Sequence, residues 1–204
     1  MALTVKGEAT RRRIVEGAAA EIRERGVGAT TLDDVRARTR TSKSQLFHYF
    51  PDGKEELLLA VARFEADLVL ADQRPQLGDL TSWRAWREWR DTVVARYRGQ
   101  GQQCPLNVLI SQLGRSTPGA RAVVRQLLDQ WQCEIATGIR DMQRQGEVAA
   151  ELDADQAAAA LLAGIQGGVV IMLSTGATTH LEAALDLGVQ ALRATGSAER
   201  RPRR

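Results

Sequence analysis

The sequence predicts an all-α chain in which an N-terminal helix-turn-helix head of three helices precedes a larger helical body. Two observations carry this. Apolar residues recur at three- and four-residue spacing in almost every segment, and no β-branched alternating run interrupts them. The breaks between periodic segments fall at Gly, Pro and capping residues, where helices end and begin.

The first helix is expected over about 8–25, with Ile14, Ala18 and Ile22 at four-residue steps and with Gly26 and Gly28 ending it. Thr31 can then cap a second helix, because Asp34 stands three residues on and Asp33 adds negative charge to the positive end of the helix dipole. That helix is short, since the next cap candidates arrive at Thr41 and Ser42. A third runs from Lys43 to Tyr49 and is stopped by Pro51, which pushes Phe50 out of helical geometry. Two short helices with a tight connection form the helix-turn-helix pattern. A fourth, over about 54–71, carries Leu57, Val61, Phe64 and Leu68 on one face. Residues 1–54 are thus expected as the DNA-binding domain, the fourth helix as a link, and residues 72–196 as the body. Body helices are expected over about 82–98, 105–113, 118–145, 153–174 and 179–194, with residues 197–204 as a disordered basic tail.

Composition narrows the function. A chain of 204 residues with 44% hydrophobic residues can bury a substantial core. No uninterrupted apolar run approaches the roughly 20 residues of a membrane span, and the N-terminus lacks a signal peptide's apolar stretch. A cytoplasmic protein with no membrane partner is the expectation. Cys104 and Cys133 show no CxxC spacing, so both are expected as buried thiols, with a redox switch between them as the alternative. With His48 and His180 the only histidines, no metal-ligand set appears, and GIQGGV falls within a helix rather than after a strand, so it is no phosphate cradle. No catalytic residue, metal or cofactor is expected. Charge is uneven: residues 1–54 hold 11 Lys and Arg against 7 Asp and Glu, a surplus of 4, while the whole chain carries +3.

The stretch TSKSQLFHYF lies within that basic end. A recognition helix needs short polar side chains and a cation at its leading end, to meet base edges and phosphates, and apolar residues behind to hold it down. Thr41, Ser42, Lys43, Ser44 and Gln45 meet the first need; Leu46 and Phe50 meet the second. His48 and Tyr49 then lie at the far end, near the sugar-phosphate backbone.

The run TTLDDVRARTRTSKSQLFHYFPDGKEELLLAV resembles the N-terminal domain of the TetR-type transcriptional repressors, in order and in spacing, over about residues 8–70. The resemblance implies a homodimer that binds a pseudo-palindromic double-stranded DNA operator and a small apolar or aromatic inducer. It assigns Thr31 to the cap of helix two and Ser42, Lys43, Ser44 and Gln45 to base and phosphate contacts. It sets Phe47, His48 and Tyr49 at the ring positions, and has Lys54 meet a phosphate through its ammonium and backbone N–H. Two departures stand out. Thr39 and Arg40 occupy the turn where the family usually has Ala and Gly; if the turn keeps a positive φ, Arg40 costs about 1 kcal/mol and adds a cation near DNA. Phe47 lacks the hydroxyl of the family's usual Tyr, so one phosphate contact is missing. The segment QQCPLNVLISQLG is similar to the Gly-Cys-Pro-Leu stretch of a TetR subgroup that includes multidrug- and lincomycin-resistance repressors, with Gln103 in place of the Gly.

For the body, Trp83, Trp86, Trp89, Val93 and Tyr97 share one side of the fifth helix, and Trp131 and Ile135 stand in the seventh. They are either plain core or, as the resemblance implies, lining for a planar organic ligand. The candidate ligand set is Trp86, Trp89, Val93, Leu109, Gln112, Trp131, Ile135, Gln166 and Val170, with Gln132 a further polar candidate. Gly164, Gly167 and Gly168 inside a helix require a close neighbour, either another helix or a ligand. The stripe Leu181, Leu185, Gly188 and Leu192 is either internal core or, by the resemblance, part of a four-helix dimer interface through the last two helices. The rival function is a helical small-molecule carrier whose head binds no operator.

Overall fold

The structure, a computed structural model, describes residues 4–101 and 104–199. Among these there is no strand. Nine α-helices follow in order: α1 Val5–Arg25, α2 Leu32–Thr39, α3 Lys43–Tyr49, α4 Lys54–Ala71, α5 Trp83–Gln100, α6 Pro105–Asn107, α7 Pro118–Arg144, α8 Ala154–Thr175 and α9 Thr179–Glu199. The described residues of 1–69 and 103–127 form one compact unit, and those of 70–102 and 128–204 form a second. The described residues of 103–127, expected from the sequence in the body, fall in the same compact unit as the helix-turn-helix.

In the first unit, α1 begins three residues earlier than Glu8 because Thr4 caps it, its Oγ1 accepting from the Gly7 N–H at 3.2 Å. The core is built from Ile14, Ala18, Ile22, Val35, Leu46, Phe50, Leu57 and Val61, all fully or almost fully buried. Their spacing along α1 and α4 is the three-and-four periodicity that marks a one-sided apolar stripe. The helix expected over 105–113 is broken instead. After α6 the backbone widens into a π turn, Val108–Gln112, in which the Leu113 N–H reaches both Leu109 O and Val108 O. Ser111 Oγ donates to Asn107 O at 2.5 Å across that wide turn. A 3-10 turn, Leu113–Arg115, closes the segment.

In the second unit, α5 starts at a Ser82 cap and buries Trp86, Trp89, Val93, Val94 and Tyr97. Asp153 caps α8, its Oδ1 accepting from the Asp155 and Gln156 N–H groups at 3.0 Å, and Gly176 ends it in the left-handed region at φ 75°. α8 and α9 then run antiparallel in close contact. A Cβ on Gly168 would lie 2.5 Å from Leu181 Cα, one on Gly164 3.1 Å from Ala184 Cβ, and one on Gly188 2.2 Å from a Leu161 methyl. Helix approach thus explains Gly164 and Gly168; Gly167 has nothing within 4 Å and faces outward. Leu181, Leu185 and Leu192 are buried within the chain. α9 continues to Glu199, three residues into the stretch expected as a tail, and Arg200–Arg204 lie outside the described residues.

α8 is apolar on almost every side, with a mean hydropathy of 1.9 over its most apolar window. Two faces account for this. One packs on α9; the other leaves Val170 62% and Ile171 36% exposed, and α9 leaves Leu187 66% exposed.

Candidate DNA-binding surface and ligand-binding body

Two reciprocal caps build the helix-turn-helix. Thr31 Oγ1 accepts from the Asp34 N–H while Asp34 accepts from the Thr31 N–H and hydroxyl, at 2.9 and 2.6 Å. Those bonds from Thr31, with Arg25 beside them, hold the Asp34 carboxyl down at about 2. Ser42 and Gln45 repeat the pattern at α3: Ser42 Oγ accepts from the Gln45 N–H at 3.2 Å, and Gln45 Oε1 accepts from the Ser42 N–H at 3.1 Å. Gln45's oxygen is therefore spent on the cap, leaving its amide NH₂ to face outward.

Between the helices, Arg40 sits at φ 51°, ψ 45°, a left-handed conformation that L residues other than Gly, Asn and Asp rarely adopt. Thr39 and Thr41 close the turn from inside. Thr39 Oγ1 donates to Val35 O at 2.7 Å and lies 2.8 Å from Thr41 Oγ1, and both residues are buried. Thr41, expected among the base-reading residues, is thus a packing residue of the turn.

Side-chain pairing sorts the head's cations. Arg12 pairs with Glu16, Arg23 with Glu65 and Arg36 with Asp33; Arg25 bridges Glu21 and Asp34, and Arg38 bridges Glu21 and Glu24. Hydrogen bonds from Arg25 and then Arg38 lower the Glu21 carboxyl below its usual range. Arg13 donates to Thr39 O, and the Arg11 guanidinium lies over the Phe50 ring, 5.2 Å from its centre. Arg40 and Lys43 are exposed and have no acidic partner among the described residues. The same stretch carries Ser42 and Ser44, which are exposed and 3.1 Å apart through their hydroxyls.

At the far end of α3, Phe47 is half-exposed and its ring rests near Gly53, while His48 and Tyr49 meet edge to face at 4.9 Å. Lys54 departs from expectation. Its Nζ donates to Val27 O at 3.1 Å and Thr30 O at 2.6 Å, so the ammonium is turned into the α1–α2 loop rather than held out for a phosphate. Only its backbone N–H, at the start of α4, remains for that role.

The predicted ligand residues divide. Trp86 and Trp89 are fully buried, perpendicular at 5.6 Å, and their indole N–H groups donate to Leu80 O and Gln73 Oε1, each at 3.0 Å. Trp131 is equally buried, yet its Nε1 has no partner, and the Gln166 Nε2 is likewise buried and unpartnered. Val93 and Ile135 are core, as is Leu109 in the first unit. Gln112 is committed elsewhere, its Oε1 accepting from the Val27 N–H at 2.9 Å, and Gln132 donates to Asp155 O at 3.3 Å. Val170 stands on the outer face of α8 and lines no interior. Cys104 is packed as expected, but Cys133 is exposed.

Two grooves open on the second unit, and none of the nine predicted ligand residues lines either. One, of about 220 Å³, lies along α8 and α9 between Ala157, Ala160, Ala184, Gly188 and Ala191. The other, of about 290 Å³, runs between α5 and α9 beside the Arg90–Asp186 pair, whose two bonds measure 2.8 and 2.9 Å. The sequence reading missed Val27 and Leu187: the first acts through its backbone, which leaves no signal in residue type, and the second was hidden beside a stronger leucine stripe.

Two family models match the chain. That of the bacterial regulatory proteins, tetR family, covers residues 14–61, and that of the tetracyclin repressor-like C-terminal domain covers residues 82–187. An uncharacterized HTH-type transcriptional regulator of Mycobacterium tuberculosis is 32% identical over 90 residues, which are 44% of this chain and 43% of that protein. The match thus spans less than half the length of that relative. Among solved structures, a TetR transcriptional regulator from Chloroflexus aurantiacus aligns with a TM-score of 0.77 at 25% identity, over 92% of this chain and 96% of that one. A SmeT–triclosan complex shares the fold with a TM-score of 0.72 at 19% identity, over 90% and 91%.

Proposed function

Because this chain belongs to the tetR family of bacterial regulatory proteins, we propose that it is a transcriptional repressor, released from a pseudo-palindromic DNA operator when a small apolar or aromatic molecule binds its body. The observation that carries the reading is the pair of uncommitted cations, Arg40 and Lys43, exposed in the same short stretch as the hydroxyls of Ser42 and Ser44. Cations without an acidic partner are free to replace the counterions of DNA phosphates, while short polar groups and the Gln45 amide NH₂ can read base edges. His48 and Tyr49 extend that face toward the backbone, and Phe47 contributes packing but no hydroxyl contact.

A small-molecule effector is supported by a fold neighbour captured with triclosan and by two buried donors without partners, Trp131 Nε1–H and Gln166 Nε2. Each of these two donors would be met by an acceptor atom on such a molecule. Homodimerisation through α8 and α9 is supported by the exposed apolar side chains of Val170 and Ile171 on α8 and of Leu187 on α9, which a second copy would cover. Sedimentation should give a dimer for the native chain and a monomer for Leu187→Glu; a native monomer would remove the dimer from the proposal.

Footprinting on the DNA flanking its own gene tests the whole. A protected near-palindrome is expected, with affinity falling linearly in log salt. Failure to bind any such fragment, or binding indifferent to salt, defeats the repressor reading.

A further inference from the structure

Gln112 closes the π turn of the first unit, and its amide oxygen accepts from the Val27 N–H at 2.9 Å. Val27 lies in the loop between α1 and α2. Its own carbonyl accepts from Lys54 Nζ at 3.1 Å, and the same ammonium donates to Thr30 O at 2.6 Å. Lys54 opens α4, four residues after Phe50, whose N–H bonds Leu46 O to end the DNA-reading helix α3. A continuous set of hydrogen bonds therefore runs from Gln112 through both polar groups of Val27 to the α3–α4 junction.

The backbone geometry aims this contact. Successive α-helical residues are turned by about 100°, so the one extra residue that a π turn accommodates swings everything after it to another face. Gln112 is the last residue of the wide turn. In a continuous α-helix over 105–113 its side chain would leave the direction of Val27. Ser111 supports the wide form by donating to Asn107 O.

We propose that Gln112 is a positioning residue for the DNA-reading helix: through Val27 and Lys54 it holds the α3–α4 junction, so that the conformation of residues 105–115 sets operator affinity. The affinity readout rests on the repressor reading above; the hydrogen bond itself can be tested without DNA. The full-length chain and its Gln112→Leu and Gln112→Glu variants are compared by amide exchange at Val27, thermal midpoint and affinity for the gene-flanking fragment.

Gln112→Leu removes the acceptor. Val27 exchange should rise about tenfold and fragment affinity fall about fivefold, the scale of one hydrogen bond, with the thermal midpoint down by only the few degrees that one such bond is worth and the salt slope unchanged. An unchanged slope separates positioning from the loss of a phosphate contact. Gln112→Glu keeps an acceptor and should restore both values; Gln112→Ala carries the leucine's expectations if that variant does not fold. Native Val27 exchange and native affinity in Gln112→Leu would overturn the proposal, as would a Gln112→Glu variant no better than the leucine. If the wild-type chain binds no fragment, the repressor reading falls and Val27 exchange alone decides the contact.

Discussion

The Thr39 methyl carbon lies 2.2 Å from the point where a Cβ on Gly17 would stand. Thr39 is the larger residue that this chain carries in the helix-turn-helix turn, and Gly17 on α1 is the space that receives it. Gly17→Ala gains helix propensity but forces α1 from α2, so a net loss of about 1–3 kcal/mol is expected in urea unfolding. Adding Thr39→Ala should recover it. Equal and independent effects of the two substitutions would mean that the fit does not couple them.

Arg40 combines a strained backbone with a free guanidinium. Arg40→Gly should therefore move two readouts in opposite directions: stability rises by about 1 kcal/mol, while operator affinity falls and the salt slope loses about one counterion. Thermal unfolding and salt-dependent fluorescence titration check the pair. A variant that binds DNA with an unaltered slope would take Arg40 out of the interface.

Lys54 should behave differently. Its ammonium serves two carbonyls of the α1–α2 loop, so Lys54→Met leaves Val27 O and Thr30 O without that donor and costs about 1–3 kcal/mol of stability. The salt slope stays that of the wild type. A slope lower by about one, with stability intact, would return the ammonium to a phosphate.

Glu65 is fully buried on α4, with one carboxylate oxygen 2.5 Å from Arg23 Nη1 and the other without a partner. Burial, only partly opposed by Arg23, pushes its carboxyl up from 4.5 to about 7. The folded chain thus holds a proton that the unfolded chain releases near 4.5. Its contribution to stability is complete below that pH and lost as pH rises through about 7. Urea unfolding at pH 5 and pH 8 should show the loss in the wild type and a flatter response in Glu65→Gln. An identical pH dependence in both would assign it to another group.

Local signals in the sequence were read well. The Thr31–Asp34 cap, the cap candidate Ser42 and the stop at Phe50 each depend on residues within four positions, and each stands where spacing put it. Long polar side chains were not legible. Lys54, Gln112 and Gln45 could all reach solvent or backbone, and the choice depends on what the fold brings within 3 Å. Periodicity also cannot separate two apolar faces on one helix, which is why Val170 looked internal. The placement of residues 103–127 with the head rests on contacts far apart in sequence, such as Gln112 with Val27.

The carboxylate partners of Arg12, Arg23, Arg25, Arg36 and Arg38 have a consequence beyond holding helices together. Random DNA attracts a protein through its unspent positive charge, and this head has spent most of its arginines on itself. It should park weakly on the bulk of a genome and slide little along it. Most copies would then reach their target by diffusing freely, and be held there by base contacts together with the few cations left unpaired.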